Sequence, residues 1–166
     1  AAQKTESEDE IVGIRMPDLV IWPEACLPAF LSEQENGSMR GGPKVESVFE
    51  SIHSLGDFTF VLGLNEVRGE TVVDPDVDVY NSLIMDDGKG GRQSYQKNHL
   101  VILGEFIPDL PFLHDLYFHT TGVKFGKGLS RGAIFEPLKA EIDGQPIGII
   151  PSVCFEDTVP RLTRKF

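Results

Sequence analysis

The stretch that most restricts how this chain can fold is "FTFVLGLNEV" at 58–67. It is apolar almost throughout, rich in aromatic and branched side chains, and short, which is the pattern of a strand buried on both faces. Upstream, "KVESVFESIHSLG" places Val45, Val48, Phe49, Ile52 and Leu55 at helical spacing. That segment is entered after Gly42-Pro43 and ends at Gly56, so a helix is expected between those stops. Earlier still, "DLVIWPE" at 18–24 reads as a short apolar strand closed by Pro23-Glu24, and 32–43, "SEQENGSMRGGP", reads as a loop. Strand, loop, helix, strand is a βαβ-like order, and it predicts an α/β fold.

The second half is richer in strands. "VYNSLIMDD" and "RQSYQKNHLVIL" flank "GKGG" as a hairpin, and "AIFEPLKAEI" and "IGIIPSVCFE" flank "DGQP" as another. Between them runs a long connection with a short helix expected in "PFLHDLYFH". Residues 1–10 read as a solvated acidic tail and 11–166 as one α/β domain or a piece of one. No repeat or low-complexity segment interrupts it.

Composition excludes several classes of function. Fifteen basic side chains against twenty-six acidic ones give a net charge of -11. Nucleic-acid binding needs clustered cations to neutralise phosphates, and adsorption to anionic lipid needs the same. No apolar run reaches the ~20 residues of a spanning helix. His53, His99, His114 and His119 lack metal-ligand spacing, and Cys26 and Cys154 are too few and too far apart for a zinc motif, so neither metal nor cofactor is expected. "DDGKGGR" and "FGKGLSRG" do not match the spacing of a phosphate loop and read as turns. "LPFLHDLYF" fits a lipid-touching segment or a short core helix.

Three reactive side chains share one context. Glu24 closes "DLVIWPE", Lys97 lies in "SYQKNHL", and Cys154 closes "IGIIPSVC". Residues just past strand ends converge on the functional crevice of α/β sheets. A Cys, a Lys and a Glu meeting there would suit covalent acyl transfer, with thiol attack, proton shuttling and oxyanion stabilisation. Spacing alone leaves the plainer reading open, in which Cys154 is a buried inert thiol, Glu24 a turn carboxylate and Lys97 a solvated residue.

The wording around these residues goes further. "PDLVIWPEACLP", "YNSLIMDDGKGGRQSYQKNHLVILGEFIP" and "IGIIPSVCFED" resemble the three catalytic blocks of the carbon–nitrogen hydrolase (nitrilase) superfamily, and most of all its apolipoprotein N-acyltransferase branch. The resemblance covers most of residues 17–162, and its middle block, with "YQKNHLV" and "GEFIP" in fixed spacing, is the most specific. It implies Glu24 as general base, Lys97 as oxyanion stabiliser and Cys154 as nucleophile. Glu105 is implied as a second, supporting glutamate, with Phe155 and Glu156 in the Tyr-Glu positions after the nucleophile. Two departures are mild: Ile102-Leu103 stands for Pro-Phe, and Phe155 for Tyr.

By the same resemblance the fold is a partial αββα sandwich of the nitrilase type, and the substrates are a phospholipid acyl donor and the N-terminal cysteine of a lipoprotein. The implied location is the bacterial inner membrane, anchored through a transmembrane region these residues do not contain, with the catalytic domain on the periplasmic side. A soluble, cytoplasmic amidase or nitrilase is the alternative within the superfamily, and an inactive remnant the alternative outside catalysis. The family domain has further strands and helices before "DLVIWPE" and after the nucleophile. The chain is therefore expected to be a fragment of a larger product or a form truncated at both ends.

Overall fold

A computed structural model of the chain describes residues 16–24, 26–33, 39–68, 77–124 and 126–166. The expected acidic tail at 1–10 lies outside them. The elements are β1 (Leu19–Ile21), β2 (Phe30–Glu33), β3 (Met39–Gly41), α1 (Pro43–His53), β4 (Thr59–Arg68), β5 (Asp78–Asp86), β6 (Arg92–Gln96), α2 (Pro111–Thr121), β7 (Leu138–Ile142), β8 (Gln145–Ile149) and α3 (Pro160–Thr163), with one 3-10 turn at Cys154–Thr158.

The run at 58–67 forms the centre of the molecule. β4 pairs along its whole length with β5, from Phe60↔Asp86 to Arg68↔Asp78, and β5 pairs with β6. The opposite edge of β4 is shared end to end: β1 pairs there in parallel at Leu19↔Thr59, and β2 in parallel at Phe30↔Asn65. The β1–α1–β4 crossover is the βαβ unit that the spacing predicts. Pro43 opens α1 at its first turn, where its missing N–H costs nothing, and Glu46 accepts the Gly41 N–H at 2.7 Å.

Alternation along β4 sends Phe60, Leu62 and Leu64 to one face and Val61 to the other. The first set packs with Leu31, Phe49, Phe58 and Ile84 beneath α1. On the opposite face Val61 packs with Met85, Tyr95 and Val153, and with Leu138 and Ala140 of the β7–β8 hairpin. Helix, six-stranded sheet and two-stranded sheet therefore form three layers, and the expected α/β architecture is the one found. The β7–β8 turn is the two-residue Asp143-Gly144, at φ 53° and 70°, the left-handed pair that matches the twist of a tight hairpin.

Several boundaries differ from expectation, among them β8, which starts at Gln145 and ends at Ile149 instead of running through "IGIIPSVCFE". The segment 32–43 is not all loop: β2 and β3 pair antiparallel across Leu31↔Gly41, Ser32↔Arg40 and Glu33↔Met39. Its polar residues carry no strand periodicity, and the free edge of β4 supplies the pairing. β6 stops at Gln96 instead of running on through "KNHLVIL": the Lys97 N–H still donates to Asn81 on β5, but the donors after it, Asn98 N–H and His99 N–H, turn to the Glu156 carboxylate. Strand β7 begins at Leu138, five residues later than "AIFEPLKAEI" suggests. Leu55 lies past the end of α1 and is exposed rather than on its buried stripe.

Candidate active site

Asn81 shares a strand face with Leu83 and Met85, whose side chains belong to the core beneath the hairpin. It thus points to the hairpin side of the sheet, and Glu24, Lys97 and Glu105 gather around it. Lys97 follows β6 directly. Its N–H donates to the Asn81 carbonyl at 2.8 Å, and its own carbonyl accepts the Gly132 N–H at 2.9 Å. A Cβ at Gly132 would collide with the Gln96 carbonyl, so only glycine permits this approach.

The Lys97 side chain is 0% exposed. An ammonium without water must be paired to remain charged. Its Nζ lies 2.7 Å from Glu105 Oε1 and 3.9 Å from Glu24 Oε1. Glu24 reaches this point because the chain continues along the β4 edge past β1: Trp22 N–H donates to Val61 O, and Gly63 N–H donates to Pro23 O. Glu105 sits in a compact turn where its second carboxylate oxygen accepts the Val101 N–H at 2.9 Å. Asn81 Nδ2 donates to Glu24 Oε1 and, at 3.3 Å, to Glu105 Oε1. Burial by itself would raise the Glu105 pKa. Lys97, the Val101 N–H and Asn81 outweigh it and hold the carboxyl below its ordinary value.

Cys154 opens the 3-10 turn with its backbone at φ 55°, in the left-handed region that a side chain larger than glycine enters at a cost. It is exposed, and among the described residues no hydrogen bond joins its Sγ to Glu24, Lys97 or any other group. The structure therefore brings Glu24, Lys97 and Glu105 into one cluster and leaves the thiol outside direct bonding contact with it.

What links the two is Glu156. This carboxylate is 2% exposed and accepts the Asn98 and His99 N–H groups at 2.7 and 2.8 Å, the Val153 N–H at 3.0 Å and the Tyr95 hydroxyl at 3.1 Å. Its bonds tie the turn that presents Cys154 to the segment that carries Lys97. Burial, opposed by Asn98 and reinforced by the Glu156 charge, pushes Tyr95 up to about 12, so its hydroxyl stays a donor at neutral pH. Phe155 projects outward and is exposed.

Asn81 is the site-lining residue that sequence reasoning passed over. Its only signal was its place in "YNS", because a strand asparagine otherwise looks like a solvated position. Among the described residues no group of His, Cys, Asp and Glu is arranged to hold a metal ion. Two surface depressions, of about 420 and 450 Å³, are lined by other residues: one by the β7–β8 hairpin, Asp57 and Lys89, the other by Arg92, His53 and the 88–91 loop.

The helix–sheet–sheet layering, with a buried lysine between two carboxylates, is that of an α/β protein. In sequence the chain is similar to the apolipoprotein N-acyltransferases. It is 28% identical to the apolipoprotein N-acyltransferase of Chlorobaculum tepidum over 157 residues, 86% of this chain and 28% of that protein. To the one of Rhizobium leguminosarum bv. trifolii it is 27% identical over 159 residues, 95% of this chain and 27% of that protein. This chain thus spans little more than a quarter of the length of these relatives. No protein-family model matches the sequence. A crystal structure of an N-terminal amidase with an Asn-Glu-Ala peptide overlaps 75% of this chain and 25% of its own, at 18% identity and a TM-score of 0.39.

Proposed function

We propose that these residues form the catalytic part of an N-acyltransferase that works through a thioester on Cys154. The observation that carries this reading is the buried Lys97, held between the Glu24 and Glu105 carboxylates, on the segment that Glu156 ties to the cysteine turn. An ammonium held dry and oriented can stabilise a developing oxyanion far better than one in water. Glu24, the more exposed of the two carboxylates, is the one placed to exchange protons with a substrate.

In the first half-reaction Glu24 takes the proton from Cys154 Sγ, and the thiolate attacks the ester carbonyl of a phospholipid acyl chain. Lys97 and the Phe155 N–H face the oxyanion, the ester C–O bond breaks, and Glu24 returns the proton to the departing lysophospholipid hydroxyl. In the second, the α-amine of a lipoprotein's N-terminal cysteine attacks the thioester. Glu24 accepts the amine proton and restores the thiol as the amide forms. Glu105 holds the Lys97 side chain in place throughout. No metal or redox partner is needed for either balance.

Such a reaction belongs at a bilayer surface, and we place the site on the periplasmic side of the bacterial inner membrane. Among the described residues no helix is long and apolar enough to cross a membrane, so attachment would come from elsewhere in the protein. Incubation of the protein expressed from its complete reading frame with phospholipid vesicles should leave one acyl chain on Cys154, seen by intact mass spectrometry. Cys154→Ala should abolish the adduct. Wild-type protein that remains unmodified with every donor, yet releases ammonia from amides or nitriles, would replace acyl transfer with hydrolysis.

A further inference from the structure

We infer that Asn81 is a positioning residue of this site, holding the Glu24 and Glu105 carboxylates on either side of the lysine ammonium. The inference rests on the acyl-transfer reading above and extends it to a residue outside the Glu-Lys-Cys set. Three contacts converge on Asn81. Its Nδ2 donates to Glu24 Oε1 and to Glu105 Oε1, and its main-chain carbonyl accepts the Lys97 N–H. No other residue among the described ones bonds both carboxylates except Lys97 itself.

The geometry gives the amide a job that packing alone would not require. Glu24 and Glu105 share one ammonium, and each offers the same oxygen, Oε1, to both Lys97 and Asn81. Two carboxylates that close repel each other, and one cation must otherwise hold both. The Lys97–Glu105 pair is tight at 2.7 Å while Glu24 stands off at 3.9 Å. Without a second donor, Glu24 would lose the bond that keeps it beside Lys97, since its side chain is a third exposed and free to turn to water. Asn81 is 7% exposed and sits in the middle of β5, paired with Asn65, so its own position is set by the ladder and not by the carboxylates. A neutral donor on a rigid strand fixes an anion without competing for its charge, whereas a second cation would pair with Glu24 outright and weaken it as a base.

Two substitutions separate this role from a structural one. Asn81→Asp keeps the size and removes the N–H donors, adding a third negative charge to the cluster. Asn81→Ala removes the donors without adding charge. Variants that melt within a few degrees of wild type are compared for the rate of Cys154 acylation by phospholipid vesicles between pH 5 and 9, using the complete protein.

We expect each variant to lose roughly 100-fold at neutral pH, the scale of a catalytic group displaced by about 1 Å. The acid limb of the rate profile should move to higher pH, further in Asn81→Asp than in Asn81→Ala, because lost donors and added negative charge each favour the protonated carboxyl. A structural role would lower the rate or the melting temperature and leave the limb where it is. Wild-type acylation with variant profiles that coincide with it overturns the inference and leaves acyl transfer standing. Absence of any adduct on the wild-type protein overturns acyl transfer, and the role of Asn81 with it. If Asn81→Asp does not fold, the Asn81→Ala profile decides alone.

Discussion

Glu105 shows how one residue in this site answers to opposing forces. Burial disfavours its charge, and the Lys97 ammonium, the Val101 N–H and Asn81 more than restore it, so its folded pKa lies below its ordinary value. A carboxyl depressed on folding stabilises the native state at every pH above its unfolded pKa. That contribution is lost as pH falls from about 4.5 through the folded value, because the unfolded chain then takes up the proton first. Urea midpoints measured from pH 7 to pH 3 should therefore fall over the acid end of that range, and Glu105→Gln should flatten the fall while lowering the midpoint at pH 7. Equal pH dependence in variant and wild type would show that the Lys97 pair contributes nothing to folding stability. The identities of Glu24, Lys97, Glu105 and Cys154 as candidates were legible in their sequence blocks. Asn81 was not, because its importance lies in two bonds made to residues 57 and 24 positions away.

At the scale of elements, the informative feature is where β6 ends. Sequence pattern extends this strand through "KNHLVIL", and nothing in the apolar run announces a stop. The stop is imposed by Glu156, nearly sixty residues downstream, which takes the Asn98 and His99 N–H groups out of the ladder. Replacing it by Gln substitutes an NH2 for one acceptor oxygen and sets that donor against a buried backbone N–H. Charge-assisted bonds to a buried acceptor are worth about 1.5–3 kcal/mol, so Glu156→Gln should lower stability by about 2–3 kcal/mol by chemical denaturation. It should also slow alkylation of Cys154 or change its pH dependence, since the 3-10 turn loses its anchor. Tyr95→Phe removes only one of the donors and should cost about 1 kcal/mol. A Glu156→Gln protein as stable as wild type would mean that the turn is held by its own backbone.

For the whole molecule, two cores lie on opposite faces of β4, and the candidate site lies on the hairpin side. Leu62 is fully buried beneath α1, on the face away from Asn81. Leu62→Ala should cost about 2–5 kcal/mol by cavity formation and leave the rate of Cys154 alkylation, measured well below the melting temperature, close to wild type. A large change in that rate would show that the helix-side core sets the geometry of the opposite face. Among the described residues α2 belongs to neither core, and Phe112, Leu116 and Phe118 on it are exposed. Its formation follows from local causes, with Pro111 at the first turn and Gly122 closing it at φ 72°.

The sequence by itself determined the strand–helix–strand core, the two hairpins and the segments bearing Glu24, Lys97 and Cys154, because periodicity, Pro-Gly punctuation and motif spacing are local properties of the chain. It did not determine that β2 and β3 extend the sheet, that β6 ends at Gln96, that Asn81 bonds both carboxylates, or which backbone donors Glu156 takes up. Those depended on which backbone donors and buried charges find partners across long sequence separations. Burial makes each unpaired group costly, and only the folded arrangement shows which partner is within reach.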